Sequence, residues 1–170
     1  WSEEQLTTLV TRDCMIGTHF NVLAADMVAK DLTDWNVEEA FAYLWKDATV
    51  PGKCGRFGRP GLQEYVERGY IACDSLSYSV SRTLDYAYDD FCVSQVARHL
   101  GKNAEADLLA ARSTHYRNVF DSKTGFMRGR LSEGKWLEPF DEFTWGGPFI
   151  EGGPWQHRFN VPHDVEGLSS

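Results

Sequence analysis

The apolar positions fall into four helical patterns of two alternating kinds. From Thr18 to Lys30, the residues Phe20, Val22, Leu23, Ala24, Ala25, Met27, Val28 and Ala29 leave almost no polar face. That pattern predicts a helix buried on most sides. From Val37 to Thr49, Val37, Ala40, Phe41, Leu44, Trp45 and Ala48 fall on one stripe, which predicts an amphipathic helix with a wet back. Asn36 and Glu39 have capping-box spacing at its start. A third helix is expected from Ser75 to Leu100, with Asp74 as N-cap and Gly101 as the stop. Leu76, Val80, Leu84, Ala87 and Phe91 make one stripe of it, and Cys92, Val93, Val96 and Leu100 carry the apolar surface around the axis. It reads as a second buried helix. A fourth, from Ala104 to Phe120, shows Leu108, Leu109, Arg112, Tyr116, Val119 and Phe120 on one face.

Buried, amphipathic, buried, amphipathic is the order that two concentric layers of helices produce, with inner and outer helices alternating. A bundle of equivalent helices would give four similar stripes instead, and a large irregular helical domain is the alternative that mimics the alternation. The fold class expected is therefore all-α. Between the second and third helices, Val50 to Gly61 is rich in Gly and Pro and leads into a short helix over Leu62–Val66. Asp121-Ser122-Lys123-Thr124-Gly125 is a turn signal. Phe126–Arg128 and Trp136-Leu137 suggest a small hairpin around Ser132–Lys135, and the last residues suggest no terminating helix.

Composition narrows the function. With 170 residues, 42% hydrophobic and 25% charged, the chain suffices for one ordinary domain. A net charge of -8 argues against a nucleic-acid surface. Aromatics reach 14%, with six Trp, rings that line cores and also flat-ligand sites such as those for sugars. No apolar run approaches a membrane span, and Trp1-Ser2-Glu3-Glu4 does not open a signal peptide. Cys14, Cys54, Cys73 and Cys92 contain no CxxC pair, which disfavours zinc. Cys92 reads as a buried small hydrophobe, and Cys54 with Cys73 is a possible disulfide. Phosphate-loop, dinucleotide, serine-hydrolase and metalloprotease motifs are all missing.

The chemistry concentrates in Phe149-Ile150-Glu151-Gly152-Gly153-Pro154-Trp155-Gln156. Glycines let backbone approach a ligand. Phe149, Ile150 and Trp155 are expected to shield Glu151, and an apolar wall raises a carboxyl pKa towards proton donation at neutral pH. Trp155 suits stacking on a sugar face, and Gln156 suits bonding hydroxyls. A loop carboxylate that caps something nearby is the plainer alternative. His163 and Asp164 are adjacent, and Asp164 reads first as a helix cap. Asp85 and Asp89 share a helix face, as ligands for a metal or hydroxyls or, more plainly, as a hydrogen-bonding pair at a helix seam. His19 reads as a ligand contact or a satisfied core histidine. His99, His115 and the scattered Lys and Arg read as surface groups.

Several motifs together resemble glycoside hydrolase family 92. They are Gly58-Arg59-Pro60-Gly61-Leu62-Gln63-Glu64-Tyr65, Gly69-Tyr70-Ile71, and Ser79 to Phe91 (SVSRTLDYAYDDF). They continue with Tyr116-Arg117-Asn118-Val119-Phe120-Asp121, Thr124-Gly125-Phe126-Met127-Arg128, Glu151-Gly152-Gly153-Pro154-Trp155-Gln156 and Val161-Pro162-His163-Asp164. The resemblance runs from about Met15 to Leu168. It implies calcium-dependent exo-α-mannosidases that act with inversion, mostly on α-1,2-linked mannose of glycans. It also implies an (α/α)6 toroid and a secreted, periplasmic or cell-surface location. The family's usual Glu-Gly-Asn-Ala-Trp-Gln maps its general acid onto Glu151, with Gly153-Pro154 replacing Asn-Ala. Trp155, Gln156, His163, His19 and Asp89 are the substrate-binding candidates. The family's base, in a Gly-Asn-Asp-Asp segment, and most of its calcium ligands lie downstream and have no counterpart here, so no metal ligand is assigned. The chain is thus expected to be part of the toroid, truncated at both ends and inactive alone. Its partners would be mannose-containing glycans and the rest of the parent catalytic domain. Another (α/α)6 glycosidase, such as a trimming glucosidase or a trehalase-like enzyme, and a non-catalytic carbohydrate-binding helical domain are the alternatives.

Overall fold

The computed structural model describes residues 16–52 and 58–169. Seven α-helices dominate the described residues: α1 Phe20–Ala29, α2 Val37–Thr49, α3 Leu62–Arg68, α4 Ser79–His99, α5 Asn103–Arg112, α6 Pro154–His157 and α7 Val165–Ser169. A 3-10 segment, Ser113–Asn118, prolongs α5. Two short antiparallel strands, β1 Phe120–Asp121 and β2 Phe126–Met127, follow.

The central element is α4, against which α1, α2, α5 and the 3-10 segment all pack. Its C-terminal half supplies Cys92, Val93, Val96 and Ala97 to a core shared with Ala24, Ala25 and Val28 of α1, Phe41 and Leu44 of α2, and Leu109 of α5. Its N-terminal half supplies Val80, Leu84 and Ala87 to a second core with Tyr70, Tyr116, Met127, Phe149 and Val161. The apolar surface that turns around the α4 axis therefore serves two cores, one at each end. α2 buries its expected stripe, and Asn36 Oδ1 accepts from the Glu39 N–H at 3.0 Å while its amide donates to the Glu39 carboxylate at 3.1 Å. After α4, Gly101 takes φ 72° and Lys102 N–H bonds the Ala97 carbonyl, a chain reversal that favours glycine.

Several expectations change. α1 is not buried on most sides: Phe20 and Leu23 are 62% and 53% exposed. It packs through its small residues Ala24 and Ala25, and among the described residues nothing covers its opposite face. α4 begins at Ser79, not Ser75. Asp74 is not its cap; it accepts from the Ser132 N–H at 2.9 Å and hydroxyl at 2.7 Å. The N–H groups that open α4 are met from afar, by the Gly147 and Pro148 carbonyls. The fourth helix stops at Arg112 and tightens to 3-10 geometry instead of running to Phe120. The strand pair closes over the Asp121–Gly125 turn, and the hairpin expected further on is held by an antiparallel bridge between Arg130 and Trp136, with the Leu137 N–H on the Gly129 carbonyl and the Leu131 N–H on the Lys135 carbonyl, both at 2.8 Å. The end of the described chain does form a helix, α7.

The cations are not all surface groups either. Arg59, Arg112 and Arg128 are buried. Arg59 Nη1 bonds Asp90 Oδ1 at 2.5 Å, and Arg112 grips the same carboxylate with Nε at 2.8 Å and Nη2 at 3.1 Å. Tyr65 donates its hydroxyl to Asp90 Oδ2 at 3.2 Å. Arg128 pairs with Asp121 at 2.8 Å across the β-turn. His115 is half-buried edge-on against Tyr65, with ring centroids 4.9 Å apart, while His99 is exposed as expected. Cys92 is buried. Cys14 and Cys54 lie outside the described residues, and so does the proposed Cys54–Cys73 pairing.

Candidate active site

The N-terminus of α4 fixes where the glycine-rich loop runs. The carbonyls of Gly147 and Pro148 accept from the Tyr78 and Val80 N–H groups, at 3.1 and 3.0 Å. Phe149 then drops into the second core, and the chain turns outward at Glu151. Glu151 has φ +48°, in the left-handed region where a residue with a long side chain is strained. Its carboxylate is exposed. The expected apolar shield is not built by its neighbours. Phe149 is turned inward against the His157 ring, 5.1 Å away, and Trp155 packs edge-on against Phe126 at 4.8 Å. Local hydrophobes are drawn to the core and to each other, so they leave the one charged residue facing water.

Beyond Glu151 the loop is held tightly. Gly152 accepts from the Gly146 N–H at 2.8 Å. A Cβ on Gly153 would run into the Thr144 carbonyl oxygen, so only glycine lets these two strands of loop approach so closely. Pro154 starts α6, and Gln156 Oε1 accepts from the Gly153 N–H at 2.9 Å, closing the first turn. Gln156 therefore spends its carbonyl on the backbone. His157 is buried, with Nδ1 3.1 Å from the Gly153 carbonyl and Nε2 2.8 Å from Ser81 Oγ. Burial pushes its pKa below the usual histidine value.

Ser81, Asp85 and Asp89 are spaced four apart on α4 and share one face. Ser81 accepts from the Ile150 N–H at 3.0 Å, directly beside Glu151. One and two turns along, Asp85 and Asp89 meet His19, at 3.7 Å from Nε2 and 3.4 Å from Nδ1. Asp89 is fully buried, and its Oδ2 accepts from the Thr18 N–H at 2.7 Å and hydroxyl at 2.9 Å. The hydrogen-bonding Asp89 carboxylate holds His19 above its ordinary pKa, against burial and Arg59, and Asp85 adds to it. Burial pushes Asp85 up to about 7, with His19 pulling down and Asp89 pushing up. The face thus runs from the Glu151 loop to a half-exposed imidazole over two carboxylates. Of the hydrogen-bonding pair expected at this seam, Asp89 is buried and bonded to Thr18, while Asp85 is partly exposed and meets His19 at 3.7 Å.

His163 sits apart from this face. Its Nε2 donates to the Ser113 carbonyl at 2.9 Å, and its ring stacks on Tyr88 at 5.7 Å. Asp164 acts as the cap expected of it, accepting from the Gly167 N–H at 3.0 Å and the Tyr116 hydroxyl at 2.7 Å. Sequence reasoning missed Ser81 and His157. Ser81 was detectable from its spacing to Asp85, whereas nothing local to His157 points to a partner on α4.

The model of the glycosyl hydrolase family 92 catalytic domain matches residues 1–170. The chain belongs to glycoside hydrolase family 92. A family 92 inverting mannosidase from Bacteroides thetaiotaomicron has a TM-score of 0.88 and 34% identity, covering 93% of this chain and 22% of its own. A second family 92 α-mannosidase from the same organism has a TM-score of 0.82 and 38% identity over 91% of this chain and 20% of its own. The latter protein also has a structure with bound mannoimidazole. An uncharacterized secreted glycosidase of Arthroderma benhamiae is 31% identical over 89% of this chain and 24% of its own length. This family 92 chain therefore spans less than a quarter of the length of each of these relatives. Its all-α architecture agrees with the expected part of an (α/α)6 toroid.

The described residues form no site fit for calcium. Among the described residues no group of three or more His, Cys, Asp or Glu is arranged to hold a metal ion. Where Asp85 and Asp89 come together, His19 offers nitrogen where calcium takes oxygen, and Asp89 Oδ2 already accepts two hydrogen bonds. No helix among the described residues is long and apolar enough to cross a membrane.

Proposed function

We propose that the complete protein is an α-mannosidase that removes α-linked, chiefly α-1,2-linked, mannose from glycans with inversion, and that Glu151 is its general acid. The observation that carries this reading is the placement of Glu151. It is an exposed carboxylate at a left-handed φ, fastened on both sides, in a chain of the mannosidase family.

In this reading the Glu151 carboxyl gives its proton to the glycosidic oxygen as the bond to the anomeric carbon breaks. Water attacks the opposite face of the ring, activated by a carboxylate from outside this chain. Inverting enzymes keep the two carboxyls roughly 6.5–9.5 Å apart to admit that water. Trp155, half-exposed on the same loop, offers its ring to a sugar face. His19 is the accessible end of the polar face and reaches hydroxyls, while Asp89, with no exposed surface, acts through it. Gln156 contributes mainly by holding the loop. His163 is committed to a backbone carbonyl and stands apart from this face, so it is given no sugar contact in this reading. The secreted relative supports a location outside the cytoplasm.

The test is Glu151→Gln in the complete enzyme, assayed on α-1,2-mannobiose. Turnover should fall by about 100-fold or more, and the first-formed product of the wild type should be β-mannose by proton NMR. Wild-type turnover in the variant would refute the acid assignment.

A further inference from the structure

We propose that Ser81 and His157 are positioning residues that hold Glu151 in place from both sides through a single directed chain of hydrogen bonds. The proposal rests on reading Glu151 as the acid.

The direction of each bond follows from chemistry. The Gly153 carbonyl can only accept, so His157 Nδ1, 3.1 Å away, carries the proton. The buried ring is kept neutral at neutral pH, so Nε2 carries a lone pair. Ser81 Oγ, 2.8 Å from Nε2, must therefore donate its hydroxyl proton there. That leaves the Ser81 lone pairs free to accept, and the Ile150 N–H fills one at 3.0 Å. The chain runs Ile150 N–H to Ser81, Ser81 O–H to His157, His157 N–H to the Gly153 carbonyl.

Residues 150 and 153 bracket Glu151. A left-handed glutamate persists only where its surroundings over-determine it, and this clamp is what does so. Its anchor, Ser81, stands on α4, the most enclosed of the described helices. Fixing the backbone on each side of the acid restricts where the carboxyl can point before substrate arrives, which is how positioning lowers a barrier. A serine–histidine pair at this distance also suggests a nucleophile and its base. Burial argues against that role: Ser81 is 1% exposed, and its oxygen is already occupied by the Ile150 N–H.

The experiment uses the complete enzyme with Ser81→Ala, His157→Phe and His157→Gln, beside Glu151→Gln. Each is assayed on α-mannobiose, whose leaving sugar needs a proton, and on a dinitrophenyl α-mannoside, whose leaving group does not. Ser81→Ala and His157→Phe should lower kcat on mannobiose by about 10- to 100-fold and leave the dinitrophenyl substrate nearly unchanged. His157→Gln, which keeps an acceptor for Ser81, should recover part of the loss. Equal losses on both substrates would mean a general structural defect and overturn the proposal, as would no loss on either. Should His157→Phe not fold, Ser81→Ala decides alone. A Glu151→Gln variant with full mannobiose activity would overturn the acid assignment and this role with it. A dead Glu151→Gln beside a fully active Ser81→Ala would overturn the positioning role alone.

Discussion

His19 Nδ1 stands 3.4 Å from Asp89 Oδ1, with Asp85 3.7 Å from the other ring nitrogen. An imidazole that is half in water thus provides the counter-charge for a carboxylate with no exposed surface. His19 has its pKa raised by Asp89, and Asp85 is raised to about 7 by burial.

Both shifts act in one sense on stability. A group whose pKa is higher folded than unfolded holds its proton longer in the folded state, so its contribution is lost as pH rises through the folded value. Asp85 should therefore cost the fold about 1.4 kcal/mol for each pH unit crossed between its ordinary 3.8 and about 7. The melting temperature of the complete enzyme should fall from pH 5 to pH 8, and Asp85→Asn should flatten that fall. An unchanged slope in the variant would contradict the assignment.

Asp90 is held by Arg59, Arg112 and Tyr65 in the interior. Asp90→Ala leaves two guanidinium groups buried without their carboxylate. It should destabilise by about 3–5 kcal/mol, the usual cost of breaking a buried pair from one side. Urea denaturation checks this, and replacing Arg98, whose pair with Asp107 is exposed, should cost under about 1 kcal/mol.

Gly153→Ala should do more harm than its size suggests, because the new methyl meets the Thr144 carbonyl. We expect kcat on mannobiose to fall, with displacement of the Glu151 loop visible in a crystal structure. Gly101→Ala is the control: φ is 72° there but nothing lies within 4 Å, so only the backbone penalty of about 1 kcal/mol applies.

Gln156 separates a structural from a recognition role. Gln156→Glu keeps an oxygen for the Gly153 N–H and should retain thermal stability, whereas Gln156→Ala should lose about 1 kcal/mol with the lost cap. A raised KM in Gln156→Glu with unchanged melting would show that its amide also binds sugar.

The four helical patterns, the Asn36 cap, the Gly101 stop and the Asp121 turn were all legible in the chain, because each rests on neighbours within a turn or two. The motif series carried the family and marked Glu151. What was not legible were the contacts that reach across the chain. The α4 start was misplaced because its first N–H groups are met by carbonyls of Gly147 and Pro148, not by Asp74. Glu151 was expected behind its own aromatic neighbours, yet Phe149 found a better partner in the core.

By itself, the order of residues determined the main helical segments, where most of them turn, and which carboxylate stands in a glycine loop, since these are local matters of periodicity and backbone freedom; the two short helices α6 and α7 were not among them. Tertiary structure alone decided that Ser81 and His157 meet beside that carboxylate, that His19 lies over Asp85 and Asp89, and that three arginines are interior. Those outcomes depend on desolvation and hydrogen-bond satisfaction among groups distant in the chain, and no local pattern of residues encodes which distant group will answer a buried charge.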